Sequence, residues 1–396
     1  MNEKMLNLGN NRSIIRELFE FSKAQKEKLG ADKVYDFTIG NPSVPPHKKV
    51  NSTLINLLNE NDPCYIHGYT SAQGDLDVRT KIAKNLNKRF GTKYDASMLY
   101  MTCGAAASLC IAFRAITEEP TDEIFAIAPY FTEYKVFVES AGATFKVVPP
   151  EVKTFGINFS ALEKMVNKNT KAIIVNSPNN PSGVVYSHEA IKILAEFLTR
   201  KEKKFGHPIY IICDEPYREI VYDGLEVPHI PSYYHNTIIC YSYSKCLSLP
   251  GERIGYILVP ESVTDSKNIY LACLGAGRAY GYVCAPSIFQ KLIAECVNLT
   301  SDMREYAKNR DLLYNGLTKI GYECVYPQGA FYLFMKSPEN DSYKFMEKAK
   351  KYNIILVPSD NFGVKGYVRL AYCVSSDTII NSMPAWQELF NEYQSE

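Results

Sequence analysis

No run of apolar residues in this chain approaches the roughly 20 needed to cross a bilayer as a helix. The opening segment, MNEKMLNLGNNRSIIRELFEF, has no uninterrupted apolar stretch of the kind a secretory leader carries. The expectation is a soluble, untargeted, cytoplasmic protein. An excess of one charge is also missing: 44 Lys and Arg against 43 Asp and Glu leave a net charge of +1. These charges are scattered, so no field suits an extended polyanion and nucleic acid is not an expected partner. Cysteine is plentiful, yet its number, 11, is odd, and neither a CxxC pair nor a Cys/His cluster of zinc spacing occurs. Reduced thiols and no metal site are expected. Repeats, low-complexity tracts and an obvious flexible linker are absent too.

What is present is enough apolar material, 46% of 396 residues, to bury one large core and one smaller one. Short apolar runs alternate with helical patterns: LYMT at 99–102, IFAIA at 124–128, AIIVN at 172–176, YIICD at 210–214, TIICYS at 237–242 and GYILV at 255–259. Such alternation predicts an α/β fold with a largely parallel sheet covered on both faces. Helices are predicted from Gly104, over 134–142 and over 188–206, the last two closed by glycine. From about residue 286 the rhythm changes to long helices followed by the short strands YLFMK, IILVP and YVRLAY, which suggests a smaller α+β unit. A helix after Ser13 is expected to pack on that unit. The predicted division is 50–285 for the large domain, with 1–49 and 286–396 forming the small one.

The chemistry is concentrated in a few short segments. Lys245 stands in SYSKCLSLPGERIGYI, after an apolar run and before a Pro-Gly turn, and Arg253 follows in the same segment. Asp214 ends YIICD, and a carboxylate at the carboxyl end of a parallel strand lies where α/β sheets place their ligands. Tyr217 follows three residues later. TCGAAASL opens a helix directly after LYMT, and its small residues would let backbone N–H groups approach an anion. Read one at a time, these residues have plainer meanings. Asp214 can be a helix N-cap, NNPSG a turn, Phe131 core packing, and Arg253, Arg278 and Arg369 structural or rim residues.

Taken in order, IGNPS, Tyr69, TCGAAA, PYF, NNPSG, DEPY, SYSK, Arg253 and Arg369 resemble the fold-type-I pyridoxal phosphate enzymes, and within them the class I and II aminotransferases. The resemblance spans nearly the whole chain. It implies a seven-stranded, mostly parallel sheet in the large domain. It implies pyridoxal 5'-phosphate as cofactor, an electron sink whose ring nitrogen must stay protonated, whose phosphate must be gripped and whose aldehyde must meet an amine. Lys245 would form the Schiff base and shuttle a proton, its pKa tuned from ~10.4 toward about 7 or 8 by burial and Arg253. Asp214 would pair with the pyridine N–H, and Tyr217 and Asn180 would donate to the phenolate oxygen. Gly104, Ala105, Ala106, Ser242 and Arg253 would hold the phosphate, with Tyr69 reaching in from a second subunit of a homodimer whose active site is shared. Phe131 would stack on the ring, where many relatives have tryptophan; the single tryptophan, Trp386, lies outside the motifs.

On the substrate side, Arg369 in GYVRLAY would clamp the α-carboxylate, assisted by Asn180 and the backbone at Gly40. Arg278 lies in a region loosely comparable to that holding a distal-carboxylate arginine in dicarboxylate-specific relatives. An acidic donor such as aspartate is therefore one expectation. The implied activity transfers an amino group from an amino acid to a 2-oxo acid, with the small domain closing over the substrate. A carbon–sulfur β-lyase on the same scaffold is the main alternative. A regulator sensing the cofactor is the non-enzymatic one, disfavoured because no DNA-binding module is found before IGNPS.

Overall fold

The computed structural model describes residues 1–10 and 14–395; Ser13, expected to begin a helix, lies outside them. Among the described residues thirteen strands follow one another. The first, β1 (Tyr35–Asp36), precedes the strands of the large sheet: β2 (Leu99–Thr102), β3 (Glu123–Ile127), β4 (Thr144–Val148), β5 (Thr170–Asn176), β6 (Tyr210–Asp214), β7 (Thr237–Ser242) and β8 (Gly255–Leu258). Their order is β2-β8-β7-β6-β5-β3-β4, and β8 alone runs against the rest.

The central strands read as near-continuous apolar runs because both faces are covered. In β5, β6 and β7, Ile173, Val175, Ile211, Cys213, Ile239 and Tyr241 enter one buried cluster. The alternate residues Ala172, Ile174, Ile212, Ile238 and Cys240 enter the other. This period of two places whatever follows the last apolar residue at one edge of the sheet. Asn176 and Asp214 are register partners at that edge, and Ser242 ends the next strand.

The smaller sheet comprises β9 (Cys324–Val325), β10 (Tyr332–Lys336), β12 (Val357–Pro358) and β13 (Tyr367–Ala371), antiparallel throughout in the order β12-β13-β10-β9. Between them, β11 (Ile354–Ile355) pairs with β1 and ties the N-terminal segment to this unit. Helix Ile14–Leu29 packs nearby, its Ser22 and Lys26 both donating to Asp36. Trp386 is fully buried here against Phe37 and Tyr322, which explains its distance from the motifs: it is core. The segment expected to form long helices from residue 286 divides into Ser287–Cys296 and Met303–Ile320, the first packed on helices Lys48–Glu60 and Leu76–Phe90. Among the described residues no helix is long and apolar enough to cross a membrane.

Candidate active site

At the carboxyl edge of the large sheet, side chains from both units enclose a cavity of about 320 Å³. Asp214 is one wall. The hydroxyl of Tyr134 donates to its Oδ2 at 2.5 Å, and Asn176 Nδ2 donates to its backbone carbonyl at 2.9 Å. The other carboxylate oxygen, Oδ1, is buried without a hydrogen-bond partner among the described residues. Burial pushes this carboxyl up to about 7, with the Tyr134 hydrogen bond opposing and nearby Glu215 assisting. A buried acceptor in this condition suits a cationic N–H, which would stabilise the charged carboxylate.

Lys245 faces the same space. Strand β7 leads into the short helix Tyr243–Cys246, capped by Ser242, whose side chain accepts from Ser244 N. Lys245 Nζ donates to the Gly40 carbonyl at 2.6 Å and lies 5.6 Å from the centre of the Phe331 ring. Burial pushes the amine down to about 8; the positive charges of Arg253 and Arg369 assist, while Cys373 opposes. Gly40 must be glycine for steric reasons, since a Cβ there would sit 1.9 Å from the Tyr332 hydroxyl oxygen.

Opposite lies an anion cradle. Helix Ala105–Ile116 begins after Gly104, whose φ of +85° leaves room for Arg253; a Cβ at Gly104 would meet Arg253 Nη2 at 2.7 Å. Ala105, Ala106, Ser242, Ser244 and Arg253 line the cavity together. Arg253 Nη1 donates to the Pro250 carbonyl at 3.0 Å and the Ser244 hydroxyl at 3.4 Å, and Nη2 to the Cys103 carbonyl at 3.2 Å. Among the described residues its hydrogen-bond partners are neutral and no carboxylate pairs with it, so a rim salt bridge does not describe it. Its backbone is also left-handed, at φ +53°, a conformation that costs a non-glycine residue about 1–2 kcal/mol. Strain of that size at a cavity wall is the kind found at functional sites.

Across the cavity, β13 delivers Arg369. It is 2% exposed, donates from Nη1 to Asn180 Oδ1 at 3.1 Å and from Nη2 to the Thr38 carbonyl at 2.5 Å, and leaves Nε without a partner. The guanidinium lies 4.6 Å from the Tyr332 ring centre and 5.3 Å from that of Phe362. Burial lowers its pKa, and no salt bridge to it occurs among the described residues. Among the described residues nothing accepts from its buried Nε–H, so the guanidinium keeps one unfilled donor. Tyr217 shares a hydrogen bond of 2.9 Å with Tyr332, and Phe131 meets Tyr134 edge-on.

The structure therefore brings Gly40, Ala105, Ala106, Phe131, Asn180, Asp214, Tyr217, Ser242, Lys245, Arg253 and Arg369 to one cavity, with Gly104 shaping its wall. Tyr69 and Arg278 do not line it: Tyr69 is 90% exposed, and Arg278 is exposed near the end of helix Ser266–Ala279. Sequence reasoning missed Tyr134, Ser244 and Tyr332. Tyr134 lay in the same PYFTEY segment as Phe131, and Ser244 lay two residues from Ser242; Tyr332, on the strand YLFMK, gave no signal beyond that of a core tyrosine.

A family model described as "Aminotransferase class I and II" matches residues 32–382. The chain belongs to the class I and II aminotransferases. Among curated relatives, a probable N-acetyl-LL-diaminopimelate aminotransferase of Bacillus subtilis is 32% identical, over 88% of this chain and 87% of that protein. An aspartate aminotransferase of Thermotoga maritima is 28% identical, over 92% and 93% respectively. A crystal structure of an amino transferase from Eubacterium rectale shares 55% identity and superposes with a TM-score of 0.98 over 99% of both chains. This aminotransferase is accordingly a pyridoxal phosphate-dependent transaminase by family, moving an amino group between an amino acid and a 2-oxo acid. The relatives' names differ in substrate.

Proposed function

We propose that the cavity holds pyridoxal 5'-phosphate and that Lys245 is the residue covalently joined to it in the resting enzyme. The observation carrying this reading is the presence in one cavity of a buried Asp214 oxygen, partnerless among the described residues, and the half-buried amine of Lys245. The residues fit the group: Asp214 would hold the ring nitrogen protonated, Tyr217 and Asn180 would hydrogen-bond its phenolic oxygen, and Phe131 would cover the ring. Ala105, Ala106, Ser242, Ser244 and Arg253, at the positive end of helix Ala105–Ile116, would grip the phosphate. When bound, the cofactor supplies an electron sink for the negative charge that develops at the substrate's α-carbon.

This chain's residues do the rest. Arg369, with its free Nε–H and Asn180 beside it, would bind the α-carboxylate and so orient the α-carbon for proton transfer. Lys245 as a free amine is neutral in a useful fraction at physiological pH because burial lowers its pKa, and it would take and return the α-proton. Closure of the small domain (1–49 and 286–396) over the large one (50–285) would exclude water during that transfer.

The functional unit in this reading is a cytoplasmic homodimer in which Tyr69 of each chain completes the phosphate grip of the other. Arg278 is available to a distal carboxylate only if it too acts across the dimer, so an acidic donor rests on that arrangement. The test is to add individual amino acids to cofactor-loaded protein and follow its near-visible absorption. Conversion by at least one amino acid, with release of its 2-oxo acid, is expected; no change with any common amino acid would refute the reading. Production of pyruvate from cystathionine would identify β-lyase chemistry instead.

A further inference from the structure

The loop carrying Tyr69 is held with unusual completeness for a segment that ends in an exposed aromatic ring. Its organiser is Gln290, on helix Ser287–Cys296, which is fully buried. Gln290 Oε1 accepts from Asp75 N at 2.8 Å; its Nε2 donates to Thr70 Oγ1 at 3.1 Å and to the Ala285 carbonyl at 2.8 Å. Both amide hydrogens and one carbonyl lone pair are therefore used, and one side chain joins the Tyr69 loop, the start of helix Leu76–Phe90 and the segment before its own helix. Gly74 permits this closeness: its φ is +99°, and a Cβ there would lie 2.9 Å from Gln290 Oε1 and closer still to Met101.

Secondary ties reinforce the same loop. Ser71 Oγ and Arg79 Nε both donate to the Gly74 carbonyl, at 2.6 and 3.1 Å. Lys291 reaches Asp75 at 3.3 Å and lies 3.6 Å from the Tyr65 ring centre. Asp75 in turn caps helix Leu76–Phe90. Against this framework the Tyr69 side chain is 90% exposed and contributes nothing to its own chain's core. A rigid base under an outward-pointing tyrosine lowers the entropy lost when that ring is engaged by another molecule.

We infer that Gln290 is a positioning residue that presents Tyr69 to the active site of a second copy of the chain, so that cofactor retention in one subunit depends on an amide buried in the other. This rests on the shared-site dimer proposed above. It is distinct from a packing role, because its effect must pass through the Tyr69 hydroxyl.

The experiment is a titration of pyridoxal phosphate affinity in single and double variants of the full-length protein. Tyr69→Phe is expected to raise the cofactor Kd roughly tenfold, as loss of a hydrogen bond to a charged group would. Gln290→Met, and Thr70→Val as the milder variant that removes only one of the three ties, are each expected to raise it severalfold. Neither should raise it further when combined with Tyr69→Phe. If Gln290→Met and Thr70→Val change the Kd by the same factor with and without Tyr69→Phe, or not at all, while Tyr69→Phe is effective, the positioning role is wrong and the shared site stands. If Tyr69→Phe leaves the Kd unchanged, the shared site fails and the proposal falls with it.

Discussion

Asp214 and Glu215 are consecutive, both buried, and opposite in circumstance. Glu215 points away from the cavity and is met by both Nε and Nη2 of Arg218 at 2.6 Å; Arg218 also donates to the carbonyls of Val227 and Pro228 and lies over the Phe90 ring. The pair closes on itself. Asp214 lines the cavity with one oxygen unpaired among the described residues, and shares that cavity with a lysine of lowered pKa and an arginine with an unused N–H. At the back of the sheet edge the charges are paired with each other, whereas at the front bonding capacity is left unmet. Burial alone does not mark a functional charge; burial with an unmet bonding capacity does.

This contrast is open to direct attack. Lys245→Ala should abolish turnover, with a loss of at least about 10⁴-fold since proton transfer and covalent attachment go together, and leave the melting temperature nearly unchanged. Steady-state kinetics beside a thermal melt measures both. On the other side of the strand end, Glu215→Ala leaves Arg218 buried and uncompensated and should destabilise the fold by about 3–5 kcal/mol, read by urea unfolding. Its kcat at a temperature where it stays folded should be close to wild type.

Arg369→Ala should cost about 2–5 kcal/mol in kcat/KM for the amino acid, largely through a higher KM, with cofactor affinity little altered. A drop in cofactor affinity of the same size would place Arg369 on the wrong side of the cavity.

Asp214→Asn should lower kcat roughly 10²–10³-fold. Its effect on the cofactor-free protein has the opposite sign. The folded pKa of Asp214, about 7, lies above the ordinary carboxyl value of 3.8, so the stabilising contribution of the protonated carboxyl is complete below the lower value and lost as pH rises through the higher one. The stability advantage of the Asn variant over wild type should therefore grow between about pH 4 and 7 and level off above, as urea unfolding across that range would reveal. The smallest effect is expected from Phe131→Leu, which should weaken cofactor binding by about 0.5–1.5 kcal/mol in a fluorescence titration.

Much of this arrangement was legible in the residues. Strands β2, β6 and β7 begin and end where the apolar runs do, because both faces of these strands are buried and a continuous apolar run marks their full length. Strand β4, TFKVV, was not read from the pattern; it is an edge strand, half-buried, with a lysine in the middle and no continuous apolar signal. The run IILVP breaks into two strands that serve different sheets, a division set by tertiary pairing. In the site, most residues anchored in short motifs were found, those from the second unit included, as Gly40 and Arg369 show; Tyr332, missed, comes from a strand whose composition is that of any core strand. Arg369 was found through its motif, but its isolation from carboxylates became visible only once packing was known.

The central claim is that Lys245 is the amine joined to pyridoxal phosphate. Loading the purified protein with the cofactor, reducing it with borohydride and mapping the peptides by mass spectrometry tests this most directly. The account predicts a stable phosphopyridoxyl adduct on the peptide containing Lys245, absent from Lys245→Ala. An adduct on another lysine at one equivalent per chain, or no adduct at all, would contradict it.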